Sequence, residues 1–119
     1  AADEMPAAQH EALVANLGAL GARRIVIQAA PHDGTAALRA ARFREIFAQA
    51  TWAVPPVVEA PERFCRWPLA VVAQSDSVSR EMAELFVAIA AAGFKPVSLI
   101  DPSLGGCDPI LCVGPQPQG

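Results

Sequence analysis

The residues best suited to chemistry fall in two short turns, His32-Asp33-Gly34-Thr35 and Ser75-Asp76-Ser77. Each follows an apolar run and opens a stretch of helical spacing. A strand-to-helix turn of this kind points backbone N–H groups and the positive end of a helix dipole outward, an arrangement that favours anions. If the two preceding strands are adjacent and parallel, both turns share one sheet edge, the crevice where α/β proteins hold ligands. His32, Asp33, Gly34, Thr35, Ser75, Asp76 and Ser77 are then the candidate binding residues. A plainer role carries more weight, because Asp33, Ser75, Asp76 and Ser77 are also the residue types that cap helices. Two aspartates at the rim would in addition repel a phosphate. Neither a dinucleotide fingerprint nor a P-loop occurs, so a nucleotide site has no support.

Catalysis has less. His32, Asp76 and either Ser75 or Cys107 can be drawn as a nucleophile–base set, but no GxSxG elbow is present. His10, His32, Cys65, Cys107 and Cys112 show no C-x-x-C or H-x-x-x-H spacing, so neither a metal nor a cofactor is expected. The three cysteines leave at least one thiol unpaired and suggest no disulfide framework. Cys112 reads as a small buried hydrophobe within a strand, with a Cys107–Cys112 bond across a tight turn as the minor alternative. A third group, Phe64, Arg66 and Trp67, lies in the irregular stretch from Ala60 to Pro68. Aromatic and arginine side chains dominate binding hot spots, which makes these a candidate contact surface. Against that, Trp67 could cover the sheet end and Phe64 fill the core.

The elements that must position these residues follow from periodicity. Leu13, Leu17 and Leu20 recur at helical spacing after Pro6, predicting a first helix that packs on the domain. Ile25, Val26 and Ile27 form a β-branched run, the first strand. Ala36, Ala40, Phe43, Ile46, Phe47 and Ala50 define a second helix, on which Arg39, Arg42 and Arg44 read as a solvated face. Residues 51–59 read as an edge strand, or one that ends early, because Pro55 and Pro56 cannot donate to a ladder. Leu69 to Ala73 is apolar throughout, hence central. A third helix over 78–92 ends at Gly93. Two strands, 96–100 and 109–113, then flank a loop rich in glycine and proline.

The order α-β-α-β-β-α-β-β predicts an α/β fold. We expect a five-stranded, mainly parallel sheet with two crossover helices, an N-terminal helix and a C-terminal hairpin. Strands 1 and 3 would lie in its middle, and a ferredoxin-like α+β sheet is the alternative. By segment, 1–22 is helix and linker, 23–114 the α/β domain, and 115–119 an extended tail.

Composition narrows the function classes. Hydrophobic residues make up 53% and charged residues 18%, which excludes overall disorder, and the net charge of −3 gives no nucleic-acid footprint. The longest apolar run, Leu85 to Phe94, is far short of the about 20 residues a membrane span needs. No signal peptide is visible. The chain opens on Ala1 rather than Met, so further sequence is expected upstream.

Three pieces of the chain resemble a recurrent bacterial domain. They are Met5-Pro6-Ala7-Ala8-Gln9 leading into the leucine helix, Gln49-Ala50-Thr51-Trp52 after the second helix, and Val113-Gly114-Pro115-Gln116-Pro117. The matching pieces there read Pro-Glu-Gln, Ala-Gly-Trp and Val-Gly-x-Lys-Pro. That domain lies C-terminal to transmembrane helices in uncharacterised inner-membrane proteins, and the resemblance covers nearly the whole chain. Thr51 stands where glycine is expected and Gln116 where lysine is. The resemblance implies a soluble module tethered to the bacterial inner membrane through a segment before Ala1, and it transfers no activity. The reading is a non-enzymatic interaction or sensory module working through a protein partner or self-association. A small-anion-binding domain is the alternative, and an enzyme the third choice.

Overall fold

The computed structural model describes residues 5–60, 65–74, 80–101 and 108–115. Its elements are α1 (Ala7–Ala19), β1 (Val26–Ala29), α2 (Gly34–Gln49), β2 (Val58–Glu59), β3 (Leu69–Ala73), α3 (Arg80–Ala91), β4 (Val97–Ile100) and β5 (Ile110–Val113). This is the α/β architecture that the order of elements predicts, with the strands joined in one mainly parallel sheet.

The sheet order is β2-β1-β5-β3-β4. β1–α2–β2 and β3–α3–β4 are each a parallel strand pair joined by a helix. β5 runs between the two units, parallel to β1 and antiparallel to β3. The two βαβ units therefore point in opposite directions, and the last strand joins them.

This order corrects two expectations. β4 and β5 do not pair as a hairpin, because β3 lies between them, and β1 and β3 are not neighbours. The reason lies in β5, whose Ile110, Leu111, Cys112 and Val113 are all buried. A strand that is apolar on both faces is stabilised most in the sheet centre, where each face is covered and each edge paired. The ferredoxin-like alternative also fails, since β1 and β5 separate β2 from β3. β2 is shorter than the expected 51–59. Next to the two prolines, pairing reduces to an Arg24–Ala53 bridge and a two-residue strand.

The three helices share one core with one face of the sheet. Leu13 and Leu17 of α1 join Phe43, Ile46 and Phe47 of α2 and Leu85 and Ile89 of α3 over Ile25, Ile27, Val71 and Leu111. Fully burying each such side chain contributes about 2 kcal/mol. Phe86 of α3 is only half-buried. The first helix packs on the domain as its leucines predict, and polar side chains reinforce the contact. Gln9 Nε2 donates to Gly93 O at 3.1 Å, Asn16 Nδ2 to Ala88 O at 3.1 Å, and His10 pairs with Gln49 Oε1 at 2.8 Å.

Trp52 ties this layer together. Its ring meets Phe47 edge-on at 5.1 Å, and its Nε1–H donates to Leu17 O at 3.2 Å. Thr51 before it has φ +67, a left-handed conformation that a β-branched residue adopts only under strain.

The arginines of α2 are not simply a solvated face. Arg44 donates to Val54 O and Pro55 O at 3.4 and 3.2 Å, supplying donors where the proline pair has none. Arg39 reaches from α2 to Pro68 O and Gly114 O at 3.3 and 3.4 Å.

Candidate interaction surface on a disulfide-anchored loop

The edge of the sheet that holds the carboxyl ends of β1 and β5 also holds the start of β3, and the most tightly specified local structure gathers there. Cys65 and Cys112 form a disulfide with Cα atoms 5.2 Å apart. It links the segment before β3 to the middle of β5 and lies against β1, with Cys65 Sγ 3.9 Å from Gln28 O. The minor alternative of a Cys107–Cys112 bond is thereby overturned, and Cys107 lies outside the described residues. Sequence reasoning missed this pair because its partners are 47 positions apart. The faint signal available was an apolar strand carrying a cysteine and an irregular loop carrying another.

From Cys65 the chain runs through Arg66 and Trp67 to Pro68 and into β3. Gly114 N–H donates to Pro68 O at 3.2 Å, and Arg39 donates to the same oxygen. A Cβ on Gly114 would collide with the carbonyl oxygens of Trp67 and Cys65, so the loop backbone lies directly on the end of β5. Only glycine allows that approach. Arg66 is exposed, and Trp67 is 39% exposed on this pinned backbone. Phe64 lies outside the described residues.

The first candidate turn sits at the same edge. Asp33 caps α2, its Oδ1 accepting from Ala36 N–H at 2.9 Å, as its residue type predicts. His32 has φ +60 and stands exposed beside Gly34 and Thr35. Together with Ala30, Val57 and Glu59, this turn borders a shallow depression of ≈ 340 Å³.

Ser75, Asp76 and Ser77 lie outside the described residues, but Gln74 immediately before them follows the end of β3. β3 is antiparallel to β5, and β5 is parallel to β1, so Gln74 and His32 occupy opposite edges of the sheet. The shared crevice required β1 and β3 to be adjacent and parallel, and that premise is overturned. The inserted, oppositely running strand is the physical cause. Gln74 and Asp108, the described residues next in the chain to Ser75 and Cys107, lie at the far edge from His32, and Ser75 and Cys107 themselves lie outside the described residues.

That far edge carries a cleft of ≈ 390 Å³ which no motif foretold. Trp52, Met82 and Leu85 form its apolar floor, and Arg23, Arg24 and Asp108 are among its polar lining. Arg23 is held by Glu84 at 2.9 Å, and Arg24 faces Asp108 at 3.6 Å. Both guanidinium groups are thus already matched by carboxylates, which leaves the lining without the excess positive charge an anion site needs.

Among the described residues, no group of three His, Cys, Asp or Glu side chains could hold a metal ion. No helix of the described residues is long and apolar enough to cross a membrane. No family model, curated protein or solved structure matches the chain.

Proposed function

We propose that the chain is a non-enzymatic interaction module, the soluble part of a bacterial membrane-associated protein, whose contact surface centres on Arg66 and Trp67. The observation that carries this reading is an exposed indole on a loop whose backbone is tied down on both sides. The cystine holds the loop at Cys65, and Gly114 and Arg39 hold it at Pro68. The exposed part of the indole gains nothing for folding, whereas on a rigid backbone it loses little entropy when a partner covers it. The membrane-tethered setting rests on the resemblance to the inner-membrane domain. The left-handed backbone at Thr51 supports it, because that is where the resembled domain has glycine.

The test is photo-crosslinking in bacterial cells with a photoreactive phenylalanine analogue at position 67. The expected result is a discrete adduct, either with a second copy or with another protein, that the analogue at exposed Ala48 does not give. Equal or absent labelling at both positions would dismiss the proposal.

The cleft above Met82 and Leu85 favours a second reading, a small-ligand sensor. Its balanced charges suit a neutral or zwitterionic molecule better than a small anion. A thermal-shift series with amino acids and carboxylates tests it. A ligand at 100 times its dissociation constant adds about 2.7 kcal/mol, and the shift should vanish in Arg24→Ala.

A further inference from the structure

The loop that carries Trp67 begins with a conformation that needs holding. Cys65 has φ +52, in the left-handed region that a non-glycine residue enters only when its surroundings impose it. The polar ties of the loop, Gly114 N–H and the Arg39 guanidinium, both act on Pro68 O, beyond Trp67. On the near side the covalent tie is the bond from Cys65 to Cys112 in β5. Opening it would release one end of the segment, while β1, β5 and β3 would keep their own ladder bonds.

We propose that the Cys65–Cys112 bond is an oxidation-dependent lock on the Arg66–Trp67 surface, closed when the domain matures in an oxidising compartment. This rests on the reading of Arg66 and Trp67 as a contact surface. In closing, the two thiols give up two protons and two electrons to an exchanging protein disulfide, which leaves as a dithiol. A sulfur–sulfur bond forms in the chain as one breaks in the oxidant. Cys65 and Cys112 are only 2% and 1% exposed, so an attacking thiolate has no path to either sulfur once the bond has formed. The lock is therefore set once and does not cycle. Reducing compartments keep thiols open. A tethered module that depends on this bond belongs on the membrane face turned away from the reducing cytosol.

Hydrogen exchange followed by mass spectrometry tests the lock on the 119-residue chain, purified oxidised, reduced with a phosphine, and as Cys65→Ala/Cys112→Ala. The double variant answers the question even if the reductant fails to reach the buried bond. Loss of the bond should speed exchange at Gly114, whose N–H holds the loop at Pro68 O, by tenfold or more, with α2 and β1 nearly unchanged. No change at the loop, or a uniform loss of protection across the sheet, would overturn the lock. Alkylation, under denaturing conditions without reductant, of chain secreted into an oxidising compartment should label one of three cysteines, and labelling of all three would likewise refute it. If exchange responds while the crosslinker at position 67 captures nothing, the lock stands and the contact surface fails. If capture is equal with and without the bond, the contact surface stands and the lock on it fails.

Discussion

Cys65 and Cys112 are 47 positions apart in the chain, yet their Cα atoms stand 5.2 Å apart, joining the segment before β3 to β5. The bond closes a loop that contains all of β3, α3 and β4. Chain-entropy reasoning for a loop of that length gives about 4 kcal/mol of stabilisation, acting mainly through the unfolded state. Cys112→Ala should therefore lower the denaturant-derived stability by roughly that amount. Reduction of the unfolded parent chain, in which both sulfurs are exposed, should reproduce the loss on refolding and add nothing in the variant. A change below about 1 kcal/mol would mean that the bond contributes little cross-linking entropy.

Two glycine-to-alanine substitutions should act in opposite directions. Gly114→Ala would drive a methyl group into the carbonyls of Trp67 and Cys65, and the cystine prevents the loop from backing away. Overpacking of that kind costs about 1–3 kcal/mol. Gly18 lies within α1 with nothing within 4 Å of its added Cβ, so Gly18→Ala should stabilise by about 0.5–1 kcal/mol. Thermal melts of both variants beside the parent decide between these signs, and a shared sign would contradict the geometry.

Thr51 holds a left-handed backbone with a β-branched side chain. Thr51→Gly should relieve strain of about 1–2 kcal/mol, partly offset by the greater freedom of glycine in the unfolded chain. The net expectation is a gain of about 1 kcal/mol, or a rise in Tm of roughly 3–6 °C. A drop in Tm would show that the threonine makes contacts that outweigh its strain.

Trp52 joins α1 to the core through its indole N–H as well as its ring area. Trp52→Phe keeps most of the apolar contact and leaves Leu17 O without that donor. The expected cost is about 1–3 kcal/mol. Exchange protection at the end of α1 should fall first. If protection of α1 stays level with that of β1, the bond to Leu17 is not what fastens the helix.

Much of the fold was legible in the residues because local pattern and burial agree in it. The leucines of α1, the phenylalanines of α2 and the unbroken apolar run of β3 each announce an element and the face it buries. Asp33 announces a helix cap, and Pro55 and Pro56 announce a weak edge. Of the candidate site, the sequence indicated that Arg66 and Trp67 lie in an irregular loop and that His32 opens a helix. It did not show that Gln74 and His32 end up at opposite edges.

What the sequence determined by itself, then, was the set of elements and the sidedness of each, since those depend on neighbours within a few positions. Strand order was decided only in the tertiary structure. A β5 with no polar side chain is as consistent with pairing beside β4 as with lying between β1 and β3, and the difference lies in how much of both its faces is covered. The Cys65–Cys112 bond followed from that placement. Once β5 occupies the centre, Cys112 comes within bonding distance of the loop before β3, and the short-range alternative with Cys107 is lost. Long-range pairing depends on the total area each arrangement buries, and no single segment of the chain encodes that sum.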